Sequence, residues 1–478
     1  NKKLNLGFDP RLHTEKFLMY FFKNTNCKLI SVNQNLVNQI WAKKKISENY
    51  KFFKINDKHI GQSSNSKIKI LSNILKKNKL DYHFVSSSEN IAWLLNIRGK
   101  DSDYAPITNG YLVIDKFKNI SFFCNLKKID KKLKKQLKKI KIIDIKYLDL
   151  FILNIVDENF CIDGSSCSIY FKNIIEKNNH IKNIIDPIYS LKSIKNKIEI
   201  KNIINSHIYD GVALTKFLFW LKNNFKNKRI TEISAQNKLL QFRKKNKTFK
   251  SLSFPTISST GPNAAIIHYK ATKESDRVLK KGEIYLVDSG GQYEFGTTDV
   301  TRTISLGNKQ KRIKDIFTRV LKGHIAVTNY KLNKNSDGSK IDVVARKYLK
   351  EIKLDYPHGT GHGVGYFLNV HEGPHGISKG NRVKFKEGMV VSNEPGYYEN
   401  GKFGIRIENL ITVKKQKNKL IFQDLTLVPI DKSLIEKKLL TNKEINWINK
   451  YHLNVYRKLK KFMSKYEAIQ LKNSCLAI

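Results

Sequence analysis

The stretch that decides the fold is YLVDSGGQYEFGTTDVTR, residues 285 to 302. It places Asp288 and Asp299 on either side of a glycine-rich turn, and the flanking residues alternate and are rich in β-branched and aromatic side chains. This pattern predicts two strands joined as a hairpin. Because residues two apart in a strand share a face, pairing of the strands would bring both carboxylates to one side. Such neighbours need a cation between them, so the hairpin predicts a metal site; the alternative is two solvated aspartates at a turn.

The length and composition predict two or three domains and argue against a nucleic-acid partner. The chain has 478 residues, of which 40% are hydrophobic, enough for a core of this size. Its formal net charge is +48, from 89 Lys and Arg against 41 Asp and Glu. Nucleic-acid binding would require a clustered basic face, whereas these lysines are spread along the chain. The densest basic run, residues 127–143, is predicted to form a solvated amphipathic helix.

The cysteine content and the hydropathy indicate the cellular compartment in which the protein is expected. Five cysteines form no CxxC pattern, which favours a reducing compartment and argues against a thiolate metal site: Cys27, Cys124, Cys161, Cys167 and Cys475. No apolar run reaches the roughly 18 to 20 residues that a transmembrane helix needs, and this N-terminus carries no signal-peptide pattern. We therefore expect a cytoplasmic protein with no membrane partner. The chain does not begin with Met, so a preceding targeting segment stays open.

Three regions follow one another along the chain. Residues 1–60 have the pattern of the tail of an α/β unit, and residues 61–188 alternate strand and helix patterns as a second α/β unit. Residues 189–478 begin with two long amphipathic segments, 193–223 and 231–244, and continue with strand-rich stretches and tight turns. The predicted fold class is therefore α/β, with an α+β region last.

Four further features of the last region carry candidate ligands. They are HGTGHGVG with His358 and His362, NVHEGP with His371, SNEPG with Glu394, and GIRIENL with Arg406 and Glu408. Taken singly, each has a plain structural alternative: loop histidines, an exposed turn, or a strand glutamate paired with its arginine. A phosphate loop is disfavoured because the GxGxxG fingerprint is absent. Taken together with the aspartates, they form an oxygen-rich set with imidazole and no sulfur, which favours Mn²⁺, with Co²⁺, Zn²⁺ or Fe²⁺ possible.

Three motifs carry a resemblance to a known family. DSGGQYEFGTTDVTRT, HGTGHGVGYFLNVHEGP and NEPGYYENGKFGIRIEN are similar to the aminopeptidase P (Xaa-Pro aminopeptidase) family of the pita-bread metallopeptidases, which also include prolidase and creatinase. The resemblance covers essentially the whole chain and is closest to the longer, three-domain cytosolic form, with most of its first domain absent. It implies creatinase-like N-terminal α/β domains, a pita-bread catalytic domain at residues 189–478, and a family-specific C-terminal extension from about residue 415.

The resemblance also implies roles for individual residues. Five would be ligands of two divalent ions, with Asp299 and Glu408 bridging them: Asp288, Asp299, His362, Glu394 and Glu408. Glu394 would also be the general base, His371 would stabilise the oxyanion, and His268 is the third catalytic candidate. The substrate would be bound by His268, His358, His371 and Arg406. His375 stands where the family leads us to expect a residue other than histidine, and we interpret it as a bystander.

The implied activity is release of the N-terminal residue from peptides with proline in second position. A hydroxide formed from water between the two metal ions would attack the peptide carbonyl. The resemblance further implies a homodimer. Two alternatives stay open: a prolidase, which cleaves Xaa-Pro dipeptides, and a non-catalytic pita-bread module that binds protein or nucleic acid. The module would predict eroded ligands, whereas all five ligand positions are intact.

Overall fold

The computed structural model describes residues 4–41, 50–307 and 310–478. The chain divides into two compact units, Asn1–Lys192 and Ser193–Ile478. Both mix helices and sheets, so the predicted fold class is confirmed. The further division of the first unit at residue 60 stays a prediction. None of the described helices combines the length and the hydropathy that a membrane-spanning segment needs.

The first unit alternates strands and helices. Its strands are β1 (Leu4–Phe8), β2 (Cys27–Ser31), β3 (Phe53–Lys54), β4 (Tyr82–Val85), β5 (Ile97–Arg98), β6 (Tyr111–Asp115), β7 (Ile120–Cys124), β8 (Lys141–Asp144), β9 (Asn159–Ile162) and β10 (His180–Asn183). Its helices are α1 (Glu15–Phe22), α2 (Leu36–Ile40), α3 (Asp57–Ile60), α4 (Ser64–Lys77), α5 (Ser88–Leu95), α6 (Lys131–Gln136), α7 (Leu148–Leu153), α8 (Ile169–Glu176) and α9 (Pro187–Ser193).

A six-stranded sheet forms the centre of this unit, in the order β10-β9-β4-β6-β7-β8. The pairs β4–β6 and β6–β7 are antiparallel and the other three pairs are parallel. Every residue of β7 is buried, as expected for a strand covered on both faces. Helices α7 and α8 cover one face, where Ile152 and Phe171 pack in the same apolar cluster as Phe84 and Phe160.

The basic run at residues 127–143 is not one long helix, contrary to the sequence prediction. Only Lys131–Gln136 is α-helical, and the run ends in strand β8. The predicted apolar face is present, since Leu133 and Leu137 are buried. However, Ile142 pairs with Phe122 of β7. Pairing of β-branched residues in the sheet therefore overrides the helical pattern at the end of the run.

The second unit begins with two long helices and continues with small antiparallel sheets. The helices are α10 (Lys197–Asn224), α11 (Glu232–Lys244), α12 (Lys311–Thr328), α13 (Gly338–Lys350), α14 (Asn442–Leu459) and α15 (Lys465–Ser474). The strands are β11 (Phe249–Leu252), β12 (Ile257–Thr260), β13 (Ile284–Ser289), β14 (Gly291–Tyr293), β15 (Gly296–Thr297), β16 (Val300–Ser305), β17 (Gly361–His362), β18 (Gly376–Ile377), β19 (Val390–Asn393), β20 (Gly396–Glu399), β21 (Phe403–Arg406), β22 (Asn409–Gln416) and β23 (Lys419–Asp424).

The two long helices lie close to their predicted positions. Asn196 caps α10 in a capping box with Glu199, whose carboxylate accepts from the Asn196 N–H. Thr231 caps α11 in the same way, with the Ser234 hydroxyl in the place that glutamate usually takes. These caps satisfy N–H groups that a helix start leaves unpaired, which fixes where each helix begins.

Three sheets of the second unit carry or flank four of the five candidate ligands, and the fifth, His362, lies in the separate two-stranded sheet β17-β18. The three sheets have the strand orders β12-β13-β16, β19-β22-β23 and β20-β21, and all their pairs are antiparallel. Helix α12 closes them on one side, since Ile316 and Phe317 belong to the same buried cluster as Ile405 and Ile407. Four of the five candidate ligands therefore lie on or directly beside strands that are fixed from behind by a packed core.

Candidate active site

The two aspartates lie on adjacent antiparallel strands, as the opening motif predicts. Asp288 of β13 is directly opposite Thr301 of β16, and Asp299 immediately precedes β16. The intervening turn is longer than a simple hairpin loop, because β14 and β15 form a small ladder of their own in which Gln292 pairs with Thr297. Both carboxylates are buried. The turn thus leaves the strand pairing intact and places two acidic groups on one face.

The other candidate ligands come from three further chain segments. His362 ends β17, Glu394 follows β19, and Glu408 lies between β21 and β22. The Glu394 N–H donates to the carbonyl of Thr360 (2.8 Å) and the Glu408 N–H to that of Thr301 (3.1 Å). Gly361, beside His362, lets its main chain lie against that of Ser392 near Glu394, because a Cβ at Gly361 would lie 1.9 Å from the carbonyl oxygen of Ser392.

These side chains converge. His362 Nε2 is 3.5 Å from Asp299 Oδ2 and 3.4 Å from Glu394 Oε1. Ligand atoms of Asp299, His362 and Glu408 all lie within 4.8 Å of one another. Among the described residues, no hydrogen-bond partner reaches three buried carboxylate oxygens: Asp288 Oδ1, Asp299 Oδ1 and Glu408 Oε1. Buried polar atoms left in this way are costly, and divalent cations are the partners that fit an oxygen-rich set.

The electrostatics lead to the same conclusion. Burial, followed by the nearby carboxylates, raises the pKa of Asp299 and of Glu408 well above its ordinary value. Ionised carboxylates this close repel one another in a medium of low dielectric. Among the guanidinium groups of the described residues, Arg406 contacts this group: it donates to Asp288 Oδ2 at 2.6 Å, and its charge offsets only part of the rise in the pKa of Asp299. The residues present therefore fit two divalent metal ions.

Arg406 also joins the ligands to a residue that the sequence analysis missed. Its Nη1 donates to the hydroxyl of Tyr398 (2.6 Å), which lies 2.8 Å from Nε2 of His358. Burial raises the pKa of Tyr398 to about 12, so the hydroxyl keeps its proton at neutral pH. The sequence does contain a signal for Tyr398, which lies in the motif NEPGYY on β20, four residues after Glu394. Residues two apart in a strand share a face, so Tyr398 lies on the same face as Gly396, which pairs with Arg406.

A pocket of about 420 Å³ brings together all nine predicted site residues: His268, Asp288, Asp299, His358, His362, His371, Glu394, Arg406 and Glu408. Its apolar wall consists of Phe254, Pro255, Ile257, Ile267 and Val370. His268 and His371 are exposed to it, and the His371 ring centroid is 4.0 Å from that of His362. The pKa of His371 is lowered to about 4, first by the neighbouring His362 and then by partial desolvation of the ring within the pocket.

His375 lies outside this pocket lining. It is buried, its Nε2 is 2.7 Å from the carbonyl oxygen of Val390, and burial lowers its pKa to about 4. A Cβ at Gly363 would lie 2.6 Å from its ring. The imidazole thus packs beneath the glycine-rich loop and is held by the main chain.

Three family models match the chain in succession. They are the creatinase/prolidase N-terminal domain at residues 43–199, metallopeptidase family M24 at residues 201–415, and the C-terminal region of peptidase M24 at residues 418–478.

Named relatives match over nearly the whole chain. A probable Xaa-Pro aminopeptidase P of Talaromyces marneffei is 38% identical over 97% of this chain and 74% of its own. Xaa-Pro aminopeptidase 1 of Dictyostelium discoideum is 39% identical over 97% and 78%. Among solved structures, the X-prolyl aminopeptidase of Caenorhabditis elegans, described as a cytosolic enzyme with a di-nuclear active site, aligns with a TM-score of 0.93 at 32% identity and covers all of this chain and 82% of that one.

The prolidase of Pyrococcus furiosus aligns with a TM-score of 0.59 at 24% identity and shares the fold alone. The fold and the carboxylate-lined pocket define a metallopeptidase of family M24 that carries a creatinase-type N-terminal domain. Within M24 the chain belongs to the metal-dependent Xaa-Pro aminopeptidases. The predicted family, its enzymatic activity and its dependence on two divalent metal ions are thereby confirmed.

Proposed function

We propose that five side chains hold the two ions and that both ions are Mn²⁺: Asp288, Asp299, His362, Glu394 and Glu408. Four carboxylates and one imidazole form a hard donor set, which suits Mn²⁺ better than a metal that prefers sulfur. The family resemblance assigns Asp299 and Glu408 as the ligands that would hold both ions, and each keeps one buried carboxylate oxygen without a hydrogen-bond partner among the described residues, as Asp288 also does. Bridging carboxylates offset the repulsion between two closely spaced cations.

The remaining chemistry is assigned to the chain's own residues. When bound, two such ions would supply a nucleophile by lowering the pKa of water and would polarise the scissile carbonyl. Glu394 takes up the proton and delivers it to the proline nitrogen of the departing peptide. Its Oε1 accepts from the Ser392 hydroxyl at 2.9 Å, which fixes the orientation of the carboxylate. The exposed imidazole of His371 stabilises the oxyanion that forms on the scissile carbonyl.

Substrate contacts are assigned to the pocket rim. His268 and His358 border the pocket from two chain segments, and Arg406 reaches it beside Asp288. An Xaa-Pro bond is a tertiary amide without an N–H, so recognition must use the proline ring and the preceding carbonyl. The apolar wall, which includes Phe254 and Ile257, offers a surface for that ring. We assign the peptide's N-terminal Xaa-Pro segment to this pocket.

One observation carries the proposal: all nine candidate residues line a single pocket, and three buried carboxylate oxygens in it have no hydrogen-bond partner in the part of the chain that the structure describes. The test is hydrolysis of Arg-Pro-Pro and of Ala-Pro by chelator-stripped protein to which Mn²⁺ is returned by titration. Release of Arg from the tripeptide, restored by about two equivalents of Mn²⁺, supports the proposal. Cleavage of the dipeptide alone would assign prolidase activity instead. A protein that binds metal and cleaves neither would support the non-catalytic module.

We also propose the organisation, assembly and location of the protein. Residues 1–60, 61–188 and 189–478 are proposed as three successive domains, with the C-terminal extension beginning near residue 415. A homodimer and a cytoplasmic location are proposed from the family, and the C. elegans relative is described as cytosolic. Light scattering of the purified protein, together with imaging of a tagged full-length chain, would test assembly and location.

A further inference from the structure

The proposed oxyanion residue, His371, is exposed and weakly held by its own side chain. Its ring lies 4.0 Å, centroid to centroid, from that of His362. Within residues 4–41, 50–307 and 310–478, no hydrogen bond to its imidazole is found. An imidazole that acts in catalysis must be held near its productive geometry. The position of the His371 imidazole must therefore be fixed by the main chain and by neighbouring residues, and not by hydrogen bonds of its own ring.

The next residue, Glu372, is anchored in the interior. Its N–H donates to the carbonyl of Gly363, 2.8 Å away, which ties it to the loop that follows His362. Its Oε1 accepts from Lys195 Nζ at 2.6 Å, and the two side chains are 1% and 0% exposed. A Cβ at Gly365 would lie 3.0 Å from Oε2 of Glu372, so the carboxylate also fills the space beneath the glycine-rich loop.

Lys195 is itself fixed at its main chain. Its N–H donates to the carbonyl of Gly388 (3.0 Å), just before strand β19. Gly388 has φ +88°, and a Cβ there would lie 2.4 Å from the Lys195 carbonyl oxygen. The ammonium thus projects from a main-chain position that is hydrogen-bonded to and tightly packed against Gly388, in the segment that precedes α10.

A buried ion pair is weak evidence for stability, because desolvation offsets most of the attraction. Such a pair does restrict where its two partners can lie. We propose that the Lys195–Glu372 ion pair positions His371 by locking residues 363–375 against the segment that precedes α10. Lys195 and Glu372 are positioning residues in this scheme and do not contact the substrate. The inference rests on the role proposed above for His371.

The test compares Glu372→Gln and Lys195→Met with the double variant Lys195→Met/Glu372→Gln and with a matched control. The control is Lys322→Met, which breaks a second largely buried pair, Lys322–Glu444 at 2.7 Å. Metal-loaded proteins are assayed with Arg-Pro-Pro, their bound Mn²⁺ is counted, and hydrogen exchange of residues 363–375 is followed by mass spectrometry. Thermal unfolding is measured for each.

Both single variants are expected to lose at least about tenfold in kcat with KM and metal content unchanged, since an interaction used only in the transition state is lost. Exchange in residues 363–375 is expected to accelerate in both, but not in Lys322→Met. The double variant leaves no unpaired charge, so its thermal stability is expected to recover while kcat stays low. Recovery of kcat together with stability would overturn the proposal, as would unchanged exchange in residues 363–375. An inactive wild-type protein would refute the proposed function instead, while the exchange measurement would still decide whether the pair orders the loop.

Discussion

Arg302 donates from Nη1 to the main-chain carbonyl of Glu408 across 2.6 Å. Its Nη2 also donates to the hydroxyl of Tyr451 on α14 and to the carbonyl of Val428, each 2.8 Å away. The guanidinium is 1% exposed. Arg302 and helix α14 therefore fix the main chain of a proposed bridging ligand from behind, and Arg302 is not part of the pocket lining.

Replacing Arg302 by Met should lower the free energy of unfolding by about 3 to 5 kcal/mol, because several buried acceptors lose their donors. Bound metal should fall as well, since Glu408 loses its support. Urea unfolding and metal analysis of the purified variant provide the measurement. Tyr451→Phe removes a single hydroxyl from the same network, and its loss should be nearer to 1 kcal/mol. Equal effects of the two substitutions would contradict this account.

Asp299→Ala should abolish peptide hydrolysis while the fold is retained, because a bridging ligand is removed. In metal-free protein the same substitution should raise the melting temperature. It removes a buried carboxylate that is desolvated and is repelled by the neighbouring carboxylates. The check is a thermal melt with and without Mn²⁺, combined with the Arg-Pro-Pro assay. Full activity of the variant would refute the dinuclear site.

Tyr398→Phe should reduce kcat/KM by about tenfold, the order expected when a hydrogen bond worth about 1 kcal/mol is lost. The hydroxyl joins Arg406 to His358, whereas the contact from Arg406 to Asp288 does not depend on it. Metal content should therefore stay at the wild-type value. Steady-state kinetics beside elemental analysis would show this, and loss of metal in proportion to activity would argue that Tyr398 supports the ligands instead.

The buried His452 should make stability depend on pH. Burial lowers its pKa from 6.5 to about 4, and its Nε2 accepts from the Ile430 N–H. Because the folded state disfavours the protonated ring, the stabilisation is fully present above pH 6.5 and is lost progressively as the pH falls from 6.5 to about 4. At pH 5 the loss should reach about 2 kcal/mol.

Urea unfolding of wild type and of His452→Gln at pH 7 and pH 5 isolates this effect from the other titrating groups. The variant should lose about 2 kcal/mol less between the two pH values than wild type, whatever its stability at pH 7. Parallel losses in the two proteins would exclude His452 as the source.

The sequence was most informative where local pattern and chemistry coincide. Asp288 and Asp299 were placed on paired strands because alternation and turn residues are local signals. The short ladder of β14 and β15 was not expected, since it depends on pairing with β11. The basic run at 127–143 was assigned too much helix because its final residues pair with a strand distant in sequence. The burial of Lys195 could not be predicted from the sequence, because a single lysine has no local pattern that indicates burial. Its burial depends on the ion pair with Glu372, which is far away in the sequence.

The proposed ligands are contributed by chain segments that begin at β13 and end beyond β21. No short peptide from this protein contains the whole donor set, and the segments meet only through contacts between residues far apart in sequence. Such contacts form late, because closing long loops is entropically unfavourable. Metal uptake should therefore follow the folding of this unit and not nucleate it. A newly made chain would accordingly stay unmetallated until its last third has been synthesised and packed.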